Sequence, residues 1–345
     1  MGRRPNIFKY ATGELSQDAM LCWLLEWAKP ANAGEVEQLH AAGKAFLEGL
    51  FKTVGVPVPD IKSMEILQQD CHTDILVLIN DCMALLIEDK VEMFATAEQI
   101  TGYKKTIQSK YGIDADAIHC VLVKTGQQGV YNNFQNQGLG VFQRSDFLQV
   151  LSDFQDTESD ILNSFVQHLK GIQENVDRFR TAPVSEWDRN CWSGFFSELQ
   201  KREGFEDADW DYVANRSGGF MGFWWHSLAG KTKYLQIEGP MAGWNRDGTV
   251  DPATAIPRLC FKIVVEAKEL RSERRNEWHK ELAEVLKDEN PLNVERPARF
   301  GTGTYMTAAV VHNPIVHNSD GKIDFEATVQ LLGQAATTLD QAVGR

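Results

Sequence analysis

Two apolar segments separated by a short polar turn constrain the fold of this 345-residue chain more than any other feature of its sequence. Residues 73–79 (TDILVLI) and 83–88 (MALLIE) have the length and apolar character of buried strands. The residues Asn80-Asp81-Cys82 between them predict an antiparallel hairpin in which Ile79 faces Met83.

This pairing brings charged residues together at one end of the hairpin. Asp74 lies directly opposite Glu88, and the alternation of side chains puts Lys90 on the same face while Asp89 points away. Opposed like charges destabilise paired strands unless something compensates, and clustered carboxylates suit Mg²⁺ or Mn²⁺. The pattern therefore predicts a cation site. A two-residue loop would make the cluster looser, and a strand-edge ion pair without chemistry is the alternative interpretation.

The segments around the hairpin predict a domain of helices and strands. Helical spacing predicts helices at 14–27, 34–51 and 96–111, and short apolar runs predict strands at 62–69 and 118–123. The order is a helix, three strands, a helix and a strand. The additional helix at 34–51 lies between the first helix and the strands.

The residues after the fourth predicted strand predict a loop, further helices and then a second domain. Residues 125–145 are rich in Gly, Gln and Asn and predict a loop, and helical patterns then continue to about residue 180. The step Thr181-Ala182-Pro183 predicts a boundary between domains at 1–180 and 181–345. An α+β pattern follows, with helices predicted at 187–203, 269–288 and 324–343 and strands at 219–227, 233–238, 258–266 and 303–312.

Two motifs in the second half of the chain have simple structural interpretations. Alternation places Trp224 and Trp225 on opposite faces of a strand, so that one is core and the other is available for stacking or for a partner. The segment 299–305 (RFGTGTY) contains G-x-G without the G-K-[ST] of a phosphate-binding loop, and we predict a turn there.

The hairpin residues resemble those of a known family. Asp74 followed by Glu88-x-Lys90, within this order of elements, resembles the PD-(D/E)XK nuclease superfamily. The match covers about residues 6–125, and its opening NIFKYATGELSQDAMLCWLLEWAKP looks like a branch of uncharacterised bacterial members. Thr73 stands where the motif has Pro, at a position that is permissive in the superfamily.

Residues outside the hairpin extend the resemblance. Gln99 and Tyr103 share one face of a predicted helix and are similar to the Q-x-x-x-Y motif of the exonuclease-like branch, with ordinary surface positions as the alternative. Glu14 matches an acidic residue that many members carry near the start of the first helix, where it could also merely stabilise the helix amino terminus. Asp18, one turn further, is expected to be solvated.

The resemblance implies a restriction-endonuclease-like αβββαβ core and a Mg²⁺-dependent phosphodiesterase, with a second α+β domain for recognition or regulation. It implies that Asp74 and Glu88 are metal ligands, that Lys90 is the catalytic lysine, and that Glu14 is an auxiliary ligand or a water-orienting group. Gln99 and Tyr103 complete the catalytic set that it implies. The expected activity is cleavage of nucleic acid, DNA in preference to RNA, in a role such as bacterial anti-phage defence or restriction.

Composition limits the partners and the compartment. The net charge of −13 argues against a generally basic surface that coats nucleic acid, although a local basic groove remains compatible. The six cysteines include no C-x-x-C pair, so neither a zinc ribbon nor a disulfide framework is indicated, and a cytoplasmic location is expected. No segment has the ~20 apolar residues that span a bilayer.

The alternative function is a non-catalytic nucleic-acid-binding, sensor or interaction protein on a nuclease scaffold. An intact Asp74, Glu88 and Lys90 set favours catalysis over this alternative. A homodimer would suit cleavage of both strands of a duplex, and the second domain could carry a regulatory partner.

Overall fold

The structure is a computed structural model that describes residues 5–11, 13–90, 97–126, 128–154, 157–214, 219–240 and 256–344. At residues 97–101 and 133 it describes the backbone alone. The fold is mixed α/β, and the chain divides into two compact units, Met1–Glu174 and Asn175–Arg345, each with its own five-stranded sheet. The sequence placed this division at residue 180.

The first unit holds a mixed sheet with strands in the order β1-β2-β3-β4-β5. The first three strands are antiparallel, and β4 and β5 run parallel to β3. In chain order the elements are α1 (Glu14–Trp27), α2 (Glu37–Thr53), β1 (Met64–Gln68), β2 (Ile75–Ile79), β3 (Met83–Lys90), α3 (Ala97–Tyr111), β4 (Ile118–Lys124), α4 (Asn132–Gln135), β5 (Gly140–Gln143), α5 (Arg144–Val150) and α6 (Asp160–Asp177).

The hairpin of β2 and β3 has the predicted register. Ile79 pairs with Met83 and Ile75 with Ile87, which confirms the three-residue loop. Extending this pairing by one residue places Asp74 opposite Glu88. The length of the turn fixes this register. A slip of one residue would move the buried side chains of a strand to the opposite face of the sheet.

Both faces of this sheet are covered, which explains why β2 is buried along its whole length. Val77 and Leu85 pack into a cluster that includes residues of α1, α2, α5 and α6. Leu76 and Leu86 pack on the other face, in a cluster that includes Ile107 of α3. A sheet between two helical layers requires continuous apolar runs, as these strands have.

The second unit holds an antiparallel sheet in the order β10-β9-β8-β7-β6, in which chain neighbours pair. A large cluster of buried residues from the sheet and its helices forms the core. The elements are α7 (Arg189–Leu199), β6 (Asp209–Val213), β7 (Phe220–Leu228), β8 (Lys233–Gly239), β9 (Arg258–Val264), α8 (Arg271–Val285), β10 (Tyr305–His312) and α9 (Phe325–Val343).

The structure corrects the sequence analysis at two places. Residues 125–145 are not a loop throughout, because they contain α4 and the paired strand β5. The strand β6 was not predicted. One Trp of the aromatic pair is core, as predicted: Trp225 is buried, whereas Trp224 on the other face is half-buried.

No helix in the described parts of the chain is long and apolar enough to cross a membrane.

Candidate functional site

The ammonium group of Lys90 lies among three carboxylates at the end of β3. Lys90 Nζ is 3.0 Å from Glu88 Oε1, 3.3 Å from Asp74 Oδ2 and 3.8 Å from Glu14 Oε2. Alternation along β3 puts Glu88 and Lys90 on one face, and the hairpin register brings Asp74 to them. The structure therefore brings together four of the six residues that the resemblance singled out.

A tight turn before β2 positions Asp74. Gln69, Cys71 and His72 have positive φ angles, and the Gln69 N–H donates to the Asp74 carbonyl at 3.0 Å. The Thr73 N–H donates to the Asp70 carbonyl at 2.9 Å. A proline has no N–H to make this bond, so a threonine rather than a proline suits this position of the turn.

The Asp74 carboxylate also holds the neighbouring strand. Asp74 Oδ2 accepts a hydrogen bond from the Asp89 backbone N–H at 2.8 Å, as well as from Lys90 Nζ. Gln69 Nε2 lies 3.5 Å from Asp74 Oδ1 and 3.5 Å from Asp18 Oδ2, between the two acidic side chains. These contacts fix the Asp74 carboxylate relative to the end of β3.

The surroundings of the cluster favour a cation. Glu88 is only 2% exposed, and burial raises the pKa of its carboxyl, with a further increase from Asp74. Burial lowers the pKa of Lys90, but its contacts with Glu88, Asp74 and Glu14 outweigh burial and the net shift is upward. The lysine is therefore charged and acts as the counter-ion of the carboxylates.

A second pair of acidic side chains lies on the other face of β3. Asp18 of α1 is 1% exposed, so the expectation that it is solvated is wrong, and Asp89 is fully buried. The two carboxyls interact, and each affects the pKa of the other. Asp18 Oδ1 and Asp89 Oδ2 are buried and have no hydrogen-bond partner among the described residues.

The pKa values of this pair follow from burial. Burial raises the pKa of Asp18 to about 6, and Asp74 adds to the shift. Burial also raises the pKa of Asp89 far above its ordinary value, despite a hydrogen bond from Gln17 that lowers it. Interacting carboxyls titrate together, so the raised pKa values belong to the pair.

A buried chain of hydrogen bonds ties this pair to the rest of the sheet. Gln17 Nε2 donates to Asp89 Oδ1, and the Thr125 hydroxyl donates to Gln17 Oε1. Arg144 donates to the carbonyl of Thr125 at 2.6 Å and to Gln173 Oε1 at 3.0 Å. The chain links α1, β3, the end of β4 and α5, and it fixes the strand segment that carries Glu88 and Lys90.

Two of the implied residues are not brought into the cluster by any described contact. Gln99 belongs to α3, but its side chain lies outside the described residues. Tyr103 is half-buried on α3, with its ring centroid 6.4 Å from that of His72.

The cluster is arranged around Lys90. In the described ranges, no group of three or more His, Cys, Asp or Glu side chains is placed to hold a metal ion.

Comparisons with known proteins add no relative. No family model, no curated protein and no solved structure matches the chain.

Proposed function

We propose that this protein is a metal-dependent nuclease that hydrolyses phosphodiester bonds of nucleic acid, with DNA as the preferred substrate. The observation that carries the proposal is the contact of Lys90 Nζ with Glu88 and Asp74 within 3.3 Å, at the end of one strand hairpin. Such a set of two carboxylates and an ammonium has the components of metal-assisted phosphodiester hydrolysis.

The order of elements supports the same proposal. A helix, an antiparallel set of three strands, a helix and a parallel fourth strand correspond to α1, β1–β3, α3 and β4. This order resembles the restriction-endonuclease-like αβββαβ core, which we propose for the first unit. Fold alone does not decide activity, so the site carries the argument.

The chemical type of the donors, rather than their present placement around Lys90, suits a hard divalent cation. Carboxylate oxygens of Asp74 and Glu88, with Glu14 nearby, are the ligands that Mg²⁺ or Mn²⁺ prefers. Glu88 is buried, and a buried carboxylate needs a counter-charge. In this structure Lys90 supplies that charge, so binding of the ion would exchange the ammonium for the metal as the counter-charge of the pair.

Each residue then has a definable role. Asp74 and Glu88 would hold the ion, and Glu14 would assist from the first turn of α1. The ion would stabilise the charge on the phosphate and activate water. Once released from the carboxylates, the Lys90 ammonium can donate to a phosphate oxygen or orient the attacking water.

Cleavage assays with variants of the cluster test the proposal. Single- and double-stranded DNA and RNA are incubated with the wild-type protein and with Asp74→Ala and Lys90→Ala, in Mg²⁺, Mn²⁺ or EDTA. We expect metal-dependent cleavage by the wild type and a loss of about 100-fold or more in each variant, because both groups act on the charge of the transition state.

Calorimetric titration with Mn²⁺ separates the two roles. Asp74→Ala should lose metal affinity, whereas Lys90→Ala should bind the ion at least as tightly as the wild type, because the competing ammonium is gone. The matched control is Lys29→Ala. Lys29 pairs with Glu26 at 2.7 Å. It follows the carboxyl end of α1, whereas Glu14 is the first residue of that helix, which is about 20 Å long at 1.5 Å per residue.

The outcomes also distinguish the alternative function. Equal behaviour of wild type and both variants on every substrate, with no metal binding, would favour a binding protein on a nuclease scaffold. Metal binding that depends on Asp74 without cleavage would instead point to a missing trigger.

A further inference from the structure

A buried arginine without a carboxylate partner lies in the second unit. Arg275 of α8 is 6% exposed, and no carboxylate of the described residues is within 4.0 Å of its guanidinium. It donates to the Gly301 carbonyl and to Asn276 Oδ1, but its buried Nε has no acceptor. A buried charge ordinarily has a counter-charge, so an anion would suit this group.

The surrounding arginines add to the excess of positive charge. The guanidinium carbons of Arg275 and Arg296 lie 4.4 Å and 4.6 Å from the centroid of the Phe300 ring. Arg299 directly precedes Phe300, and both Arg296 and Arg299 are exposed. Burial lowers the pKa of Arg275, and Arg296 adds to this shift as a like charge.

This arrangement contrasts with other arginines of the same unit. Five of them form ion pairs with carboxylates: Arg178, Arg180, Arg202, Arg258 and Arg274. Arg275, Arg296 and Arg299 form none with the described residues, in a chain whose net charge is −13. With acidic residues in excess, the lack of a carboxylate partner among the described residues at all three arginines points to a ligand that supplies the negative charge.

The loop beside these arginines is held in place and open to solvent. Arg271 donates to the Thr302 carbonyl at 3.3 Å and to Thr304 Oγ1 at 2.8 Å. Gly301 is exposed, and nothing lies within 4 Å of the position that a Cβ would occupy. A ligand can therefore approach the backbone of the segment 299–304 closely, as phosphate groups do at glycine-containing loops.

We propose that Arg275, Arg296 and Arg299 form a phosphate-binding site beside this loop, and that it takes the phosphodiester backbone of a nucleic acid. The planar guanidinium binds phosphate oxygens through two parallel hydrogen bonds, which makes arginine the preferred residue for such contacts. The choice of nucleic acid rests on the proposed function, and it assigns to the second unit a contact with the substrate.

Fluorescence anisotropy with labelled single-stranded and duplex DNA in EDTA tests the site in the full-length protein. The exposed pair is changed in the variant Arg296→Gln/Arg299→Gln. We expect the Kd to rise about tenfold for every oligonucleotide sequence. The slope of log K against log salt should fall by about one for each phosphate contact removed.

Two further variants control the experiment. Arg202→Gln is the matched control and should bind like the wild type, because Arg202 also lies over a phenylalanine, Phe325, but pairs with Glu326. Arg275→Lys keeps the charge but not the guanidinium and should weaken binding as well. A thermal melt of each variant verifies that it is folded.

Competition with inorganic phosphate and with a mononucleotide separates the sources of the phosphate. Unchanged oligonucleotide affinity in the double variant, or no oligonucleotide binding by the wild type, overturns the proposal. Loss of mononucleotide binding alone would also overturn it and indicate a small phosphorylated ligand. EDTA prevents metal-dependent cleavage, so the binding measurement does not depend on nuclease activity. Conversely, a negative binding result does not affect the cleavage assay with Asp74→Ala.

Discussion

Folding raises the pKa values of Asp18 and Asp89, a buried pair on the opposite face of β3 from Glu88 and Lys90. A carboxyl whose pKa is raised by folding binds its proton more tightly in the folded protein than in the unfolded chain. Its contribution to stability is therefore complete below the pKa of the unfolded chain and is lost as the pH rises through the folded value.

The pH dependence of unfolding should show this loss. For Asp18 the window extends from about pH 4 to about 6, since its pKa rises to about 6 in the folded protein. Within it, the free energy of unfolding should fall by up to roughly 3 kcal/mol, at 1.36 kcal/mol for each unit of pKa. In Asp18→Asn, which cannot ionise, this part of the fall should be absent. Urea denaturation in EDTA between pH 4 and 8 measures it.

An exposed aspartate provides the comparison. Asp60→Asn removes the same charge from a solvent-exposed position of the first unit and should follow the wild-type curve. Parallel curves for the wild type and Asp18→Asn would show that Asp18 ionises in the folded protein as it does in the unfolded chain.

Part of the candidate site could be predicted from the sequence. The register of one hairpin was enough to bring Asp74, Glu88 and Lys90 together, because strand pairing and alternation are local rules. Burial of Asp18 depends on which face of α1 meets the sheet, and that is a tertiary contact. The sequence signal for the burial of Asp18 was the apolar stripe of Leu21, Leu24 and Leu25. The buried face of α1 continues from this stripe one turn earlier, to Gln17 and Asp18.

At the scale of elements, the packing of α1 against α2 sets the position of the site. Gly43 of α2 lies against the backbone of α1, and a Cβ there would be 2.6 Å from the Leu24 carbonyl oxygen and 2.7 Å from the Ala28 nitrogen. Only glycine permits this approach. Because α1 carries Glu14, Gln17 and Asp18, the distance between the two helices fixes these residues relative to β3.

Gly43→Ala should therefore destabilise the protein and weaken the site together. Backbone atoms cannot give way as a flexible side chain can, so we expect a loss of about 1–3 kcal/mol in the free energy of unfolding. Metal-dependent cleavage should also decrease, because α1 must move. Chemical denaturation and the cleavage assay measure the two effects.

The control is a glycine of another helix. Gly333 of α9 is exposed, with nothing within 4 Å of a Cβ position. Gly333→Ala should stabilise the protein by up to ~1 kcal/mol, since alanine is the better helix former. Equal effects of the two substitutions would mean that α1 and α2 adjust without cost.

Helices and strands with a clear apolar periodicity were the ones that could be predicted from the sequence. The helix α1 and the hairpin strands have clear apolar periodicity and were placed within a few residues. The strand β5 has four residues in a segment rich in Gly, Gln and Asn, and it forms by pairing with β4. Pairing of this kind is a long-range contact that no local window contains.

At the scale of the whole molecule, the charge opposes the proposed ligand. A net charge of −13 repels a polyanion at distances beyond the local contacts. The Debye length of ~10 Å at 0.1 M salt means that salt removes this repulsion but acts less on contacts within the site. Attraction and repulsion therefore respond differently to ionic strength.

Stopped-flow binding of a labelled oligonucleotide in EDTA should separate the two effects. Between about 50 and 200 mM salt, we expect the association rate to stay constant or rise, because screening weakens the repulsion from the acidic surface as a whole. The dissociation rate should increase over the same range, because cations replace the arginine contacts to phosphate. The double variant Arg296→Gln/Arg299→Gln should dissociate faster at low salt and respond less to added salt. A steep fall in the association rate with salt would instead mean that a basic surface steers the ligand, and that the net charge does not govern the encounter.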